Sequence, residues 1–274
     1  MRDNMVDFTS EDLDNNKQEN KQNVKRRGMV VLLYGDTGLG KTYVSLSFPE
    51  PIYIVDTENR AINTVNALFK NKDINICEPL ELKTKVSRSM DDLFDEVASI
   101  NNVTAFLSDY VNKIQSGEIV GGTLIIDSCS DIWTWCQSYM FDKLSKISTK
   151  NGQARADDDM RTVLTQTDWK IATSKHESII RVLRSLVKNG INVVFTAREK
   201  SVPEYITTPL LNKDKIRCQK DLPFASDVII NLKKQNGKYL AVFEKLGTKE
   251  VNNLVIEKVN YEKILELNPL GEQL

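Results

Sequence analysis

Gly35-Asp36-Thr37-Gly38-Leu39-Gly40-Lys41-Thr42 satisfies G-x-x-x-x-G-K-[ST] at every fixed position. The apolar run Met29-Val30-Val31-Leu32-Leu33-Tyr34 stands directly before it, and Lys41 to Phe48 can form a helix. Strand, glycine loop and helix in that order is the context in which such a loop holds phosphate. Gly35, Gly38 and Gly40 permit backbone conformations closed to other residues and a close approach to phosphate oxygens. The N–H groups of loop 35–42 and of the first helical turn can then point at an anion. Lys41 would reach the β- and γ-phosphates, and the Thr42 hydroxyl would join the coordination of Mg²⁺. The chain reads as a binder of a nucleoside triphosphate.

A second acid narrows the class. Gly121-Gly122-Thr123-Leu124-Ile125-Ile126-Asp127-Ser128 is a glycine turn, an apolar strand and an aspartate at the strand's carboxyl end. Ligands of open α/β sheets sit at that end, so Asp127 is placed to hold Mg²⁺ directly or through water. The alternative is an aspartate that caps the next helix, a task Ser128 or Ser130 could also perform. A third strand, Pro51-Ile52-Tyr53-Ile54-Val55, ends in Asp56-Thr57-Glu58. Glu58 could there orient and deprotonate a water for in-line attack. The plainer use of Asp56 or Glu58 is to cap a helix starting near Asn59. Asn71-Lys72-Asp73 and Asn212-Lys213-Asp214 have the wrong spacing for a guanine-reading motif, which argues against a GTPase.

The succession GDTGLGKT, IYIVDTE and TLIIDS resembles the RecA-type ATPase core. It is most similar to compact phage and viral ATPases with an AAA-type nucleotide-binding domain, some of which anneal single strands in recombination. The resemblance spans about residues 27–250 and implies ATP with Mg²⁺ as the bound species. It also implies Glu58 as the group that activates water, and a homo-oligomer, ring or filament. Ser128 matches the serine that follows the metal-binding aspartate. The strand Ile191-Asn192-Val193-Val194-Phe195-Thr196-Ala197-Arg198 corresponds to the one that carries the nucleotide sensor. An Asn-Gln pair is expected there, and Thr196-Ala197-Arg198-Glu199 stands instead, so Thr196 or Arg198 either substitutes or is structural. In RecA-like assemblies a lysine after a late strand reaches the neighbour's γ-phosphate. Lys245 is the best match and Lys249 the next, and an exposed lysine without a role is the alternative.

A chain of 274 residues can bury a sizeable core, and 41% hydrophobic with 27% charged residues is ordinary for a globular protein. With 37 basic against 38 acidic residues, nucleic acid would have to be met by a local patch. No apolar run approaches the ~20 residues of a membrane span, and the N-terminus lacks the apolar stretch of a secretory signal. Both point to a cytoplasmic protein without a membrane partner. Cys77, Cys129, Cys136 and Cys218 lack C-x-x-C spacing and His176 is the only histidine, which argues against a zinc site.

Residues 1–26 are polar and read as a disordered tail, with residues 27–274 as one RecA-like domain. Helices are expected over Ala61 to Asn71, most of Val86 to Gln115, and from about Asp131. Trp133 and Trp135 near the start of the last could stack on a base, or pack in the core. Ser148 to Thr167 reads as a polar loop, after which Asp168 would cap a helix whose apolar face is Ile179, Leu183, Leu186 and Val187. Its only arginines, Arg155 and Arg161, are too few for the lid of a small-molecule kinase. Residues 198–220 carry Arg198, Lys200, Lys213, Lys215, Arg217 and Lys220, interrupted by Pro203 and Pro209. A basic loop leaving the nucleotide end of the sheet is where RecA-like proteins engage DNA, so the resemblance implies contact with single-stranded DNA there, with Tyr205 as a stacking platform. The alternative is a lid, or a loop that gates a protein partner in a loader or regulatory ATPase. Val228 to Leu232 and Tyr239 to Phe243 flank Asn236-Gly237, a strong hairpin signal. The expected fold is α/β: a three-layer, mostly parallel sheet with helices on both faces and a C-terminal hairpin.

Overall fold

The computed structural model describes residues 27–83, 93–150, 164–200, 216–247, 251 and 254–267. Strand β1 (Val30–Tyr34) is buried at all five positions. A strand apolar on both faces belongs in the middle of a sheet covered on both sides. Its neighbours are β5 (Asn192–Glu199) and β7 (Val228–Gln235), both parallel to it. With β2 (Ile52–Asp56), β3 (Ile74–Cys77) and β4 (Thr123–Asp127), also parallel, the order runs β3-β2-β4-β5-β1-β7. The sheet then turns antiparallel through β8 (Lys238–Leu246) and β9 (Val255–Glu257). A two-residue strand, β6 (Ile216–Arg217), pairs with the end of β5. The expected architecture, a mostly parallel sheet closed by a hairpin, is the one observed. Asn236 and Gly237 take φ values of 50° and 77°, the left-handed pair a two-residue hairpin turn requires.

Alternation along the strands feeds two cores. Val30, Leu32 and Tyr34 face one layer with α3 (Glu96–Gln115), α4 (Cys129–Lys150) and α5 (Gln166–Leu186). Val31 and Leu33 face the other, with α1 (Lys41–Leu46), α2 (Ala61–Leu68) and α7 (Tyr261–Leu267). A single turn, α6 (Leu222–Ala225), precedes β7.

Several boundaries differ from the sequence reading. Helix α2 stops at Leu68, short of Asn71. Helix α3 starts at Glu96 because the Asp95 carboxylate accepts from the Ala98 N–H; residues 84–92 lie outside those described. Helix α4 starts at Cys129 and runs through Lys150, into the expected loop, and buries Ile132, Trp135, Cys136 and Met140 on one stripe. Residues 151–163 and 1–26 lie outside those described. Thr165, not Asp168, caps α5. The Thr165 hydroxyl accepts from the Asp168 N–H, and the Asp168 carboxylate accepts from the Thr165 N–H. This reciprocal box satisfies two donors that one cap would not.

Trp133 and Trp135 both pack into the core, and Trp133 meets the His176 ring edge-on at 5.6 Å. His176 is 1% exposed, and its Nε2 has no hydrogen-bond partner among the described residues. Burial pulls its pKa down from 6.5 to about 4, against a smaller opposing effect of Asp221. The folded-state value is the lower one. As pH falls below 6.5 the unfolded chain takes up a proton that the folded chain refuses until about pH 4. Stability should therefore decline across that window, by about 3 kcal/mol in full at about 1.4 kcal/mol per pH unit. Urea unfolding at pH 7 and pH 4.5 checks this: His176→Leu should lose most of the pH dependence. An unchanged dependence in the variant would assign the acid sensitivity to other groups.

Candidate nucleotide-binding site

The site forms where β1, β2, β4 and β5 end, since parallel strands bring their carboxyl ends to one edge. Loop 35–42 joins β1 to α1. At Gly35 a Cβ would lie 2.4 Å from the Leu232 carbonyl oxygen of β7, so only glycine allows the strands to close there. Gly40 is the N-cap of α1, with φ 88°, and a Cβ there would meet no atom closer than 4.0 Å. The loop is thus a left-handed turn with open space over the helix start, the shape an anion cradle needs. Asp36 and Thr37 are exposed on its outer side, while Leu39 packs against the core beneath.

Lys41 lies half-buried over this loop. Its ammonium donates to the carbonyls of Gly35 at 2.9 Å and Asp36 at 2.8 Å. Burial lowers its pKa, and the carboxylates of Asp127, Glu58 and Asp36 oppose that effect. Thr42 projects its hydroxyl to Asp127 Oδ2 at 2.6 Å, across 85 residues of sequence. The Thr196 hydroxyl meets the other oxygen, Oδ1, at 2.5 Å. Burial raises the Asp127 pKa, while these two hydroxyl bonds pull it back. A hydroxyl and a carboxylate this close are the oxygen donors a hard divalent cation takes beside phosphate. The residues present therefore fit Mg²⁺ on a triphosphate.

On the far side of Asp127, β2 and β4 pair in register, with Asp56 opposite Asp127. Asp56 is buried and accepts from the N–H groups of Glu58 at 3.2 Å and Ala61 at 2.7 Å. It holds the β2–α2 turn and presents Glu58, which is the plainer of its two expected uses. Glu58 Oε1 accepts from Arg198 Nε at 3.0 Å and Nη2 at 2.7 Å. Arg198 Nη2 also reaches Asp131 Oδ2 at 3.1 Å. That oxygen further accepts from the hydroxyls of Thr57 at 2.8 Å and Ser128 at 3.1 Å. The Ser130 hydroxyl accepts from the Arg198 backbone N–H at 3.1 Å and donates to the Arg217 carbonyl at 2.6 Å. Ends of β2, α4, β5 and β6 are so tied into one polar cluster beside the phosphate loop.

Residues 27–236 match the AAA domain family. The chain belongs to that family. No curated protein matches it. Among solved structures it is similar to the crystal structure of the RadB recombinase. That match has 13% identity, covers 85% of this chain and 87% of that one, and has a TM-score of 0.42.

Within this AAA domain the structure gathers the loop 35–42, Asp127, Glu58, Thr196 and Arg198 at one edge. Lys245 is elsewhere. Its strand, β8, runs antiparallel, and it pairs with Ile229 at the level of Leu32, back from the loop. Its ammonium donates to the carbonyls of Ser226 at 2.5 Å and Phe224 at 3.4 Å. Lys249 lies outside the described residues. The segment 198–220 is not a loop throughout: Arg198 and Glu199 belong to β5, and 216–217 return as β6, because antiparallel pairing ties the segment's two ends together. Residues 201–215, with Tyr205, lie outside those described. Thr57 and Asp131 escaped the sequence reading as site residues; the threonine between two acids at a strand end was the available signal. Among the described residues no helix is long and apolar enough to cross a membrane.

Proposed function

We propose that the chain binds Mg²⁺-ATP on loop 35–42 and hydrolyses it, with Glu58 as the base that orients and deprotonates water. The observation that carries this reading is the convergence of the phosphate loop, the Thr42–Asp127 pair and the Glu58–Arg198 pair on one sheet edge. Lys41 leaves its two carbonyls for the β- and γ-phosphate oxygens, a stronger charge-assisted partner. Thr42 and Asp127 would hold Mg²⁺, which would supply positive charge to neutralise those oxygens. Thr196, bonded to Asp127, stands at the sensor strand and reports the state of the metal-binding acid. Lys245 serves a neighbouring copy, supplying the second cation to the γ-phosphate in a ring or filament, so that an isolated protomer turns over slowly.

We further read the biological task as DNA recombination or single-strand annealing of the phage or viral kind, carried out in the cytoplasm. Exposed Lys200, Arg217 and Lys220 flank the β5–β6 junction at the nucleotide edge, which supports a phosphate-contacting strip there. A loader or regulatory ATPase that gates a protein partner through the same segment is the competing reading. Labelled single-stranded DNA, titrated with and without ATP from 50 to 300 mM salt, separates the two. Steep loss of affinity with salt is the expected result, and no binding at 50 mM salt would leave the partner-gated reading. ATPase rates from the same samples test the assembly. Turnover per protomer should rise with protein concentration in the wild type and stay flat in Lys245→Ala.

A further inference from the structure

A cavity of about 610 Å³ opens beside the phosphate loop, between α1 and the hairpin edge of the sheet. Gly38, Leu39 and Gly40 belong to both the loop and the cavity wall, so a group attached to loop-bound phosphates enters it directly. The wall is apolar, with Leu232 and Val259 forming part of its lining. Two tyrosines contribute flat faces: Tyr43 from α1 at 48% exposed, and Tyr239 from β8 at 47%. Tyr43 is steadied by Phe69, with ring centroids 5.5 Å apart, and Tyr239 by the Lys234 ammonium 5.2 Å from its ring centroid.

The side-chain amide on the wall is already engaged. Asn260 accepts from the Lys263 N–H at 3.0 Å and donates to Glu262 at 3.1 Å, so both ends of its amide serve the start of α7. The strand residues on the wall, Leu232, Leu240 and Ala241, are paired within the hairpin and with β9. Lys258 stands exposed at the rim. Its ammonium can meet N7, an acceptor that adenine and guanine share.

We propose that this cavity receives the base and ribose of the nucleotide by aromatic contact, without reading the exocyclic group that distinguishes adenine from guanine. The chain is thus a purine-tolerant nucleotide binder. The proposal rests on the reading that loop 35–42 holds a triphosphate. A site that hydrogen-bonds a distinguishing group rejects the analogue that lacks it by 10⁴-fold or more, whereas an apolar wall discriminates weakly. Stacking tolerates any base because every base has a π-face.

Calorimetric titration of the full chain, with Mg²⁺ and the β,γ-imido analogues of ATP and GTP, is the test, with inorganic tripolyphosphate as the probe of the loop alone. The two analogues should bind within about tenfold of each other. Tyr43→Ala with Tyr239→Ala should weaken both by about tenfold or more and leave tripolyphosphate within about twofold. Tyr43→Phe with Tyr239→Phe, which keeps the rings, should retain the affinity of the wild type. Preference for one purine by more than about a hundredfold would overturn the proposal. So would alanine variants that bind both analogues normally, or that lose tripolyphosphate in parallel. Failure of the wild type to bind tripolyphosphate and both analogues would instead remove the phosphate-loop reading, and this proposal with it.

Discussion

Replacing Lys41 with methionine should lower ATP hydrolysis at least a hundredfold and leave the fold intact. The ammonium is half-buried and bonded to two loop carbonyls, and burial works against its charge. Its neighbours Asp127, Glu58 and Asp36 restore part of that charge stability. All three are acids, so a triphosphate arriving without Lys41 would meet a field of its own sign. One fixed donor removed from the place where charge develops costs about 10²–10³ in rate. Lys41 is also the cation nearest the loop, so ground-state binding should weaken as well. Methionine keeps the unbranched stem and lets it pack over the loop, and the melting temperature of the nucleotide-free variant should stay near that of the wild type. The contrast appears when nucleotide is added. Wild type should gain thermal stability with Mg²⁺-ATP, by linkage of binding to folding, and the variant should gain almost none. A Lys41→Met protein that hydrolyses ATP within tenfold of the wild type would remove the loop from the centre of the mechanism.

Much of this site was legible in the sequence because its signals are local. The eight residues 35–42 state a loop geometry that only glycines at those positions permit, and the structure has left-handed Gly38 and Gly40 there. The apolar strand ending in Asp127 and the Asn236-Gly237 hairpin are equally self-contained. The polar cluster around Glu58 is of another kind. Arg198 reaches Glu58 across 140 positions, and Thr57 reaches Asp131 across 74. Both contacts depend on the order in which β2, β4 and β5 align, which no short stretch encodes. Thr196 and Arg198, two apart on one strand, lie on a common face. Nothing in that spacing named Asp127 as the partner of one and Glu58 as the partner of the other. Helix α4 continues past its buried stripe, which ends at Met140, into residues whose polarity reads as a loop.

Glu58→Gln should bind ATP normally and hydrolyse it at least a hundredfold more slowly. The amide keeps the size of the carboxylate and an oxygen that can still accept from Arg198, so the β2–α2 turn held by Asp56 need not move. What it loses is the basicity of the carboxylate that takes a proton from water, a contribution of about 10²–10⁴. The kinetic signature is therefore a fall in kcat with little change in KM, which separates a chemical role from a binding one. Arg198 supplies the internal control. Two of its nitrogens bond one carboxylate oxygen of Glu58, and a third contact fixes the guanidinium to Asp131. Arg198→Ala frees Glu58 to turn, so kcat should fall by about tenfold, with less effect than loss of the base itself. In the double variant the arginine has no base left to orient, and its substitution should add nothing to that of Glu58. Additive effects would mean that Arg198 acts on the phosphate independently of Glu58. Normal turnover in Glu58→Gln alone would move the base elsewhere, with Asp131, the other acid on the same guanidinium, as the next group to replace.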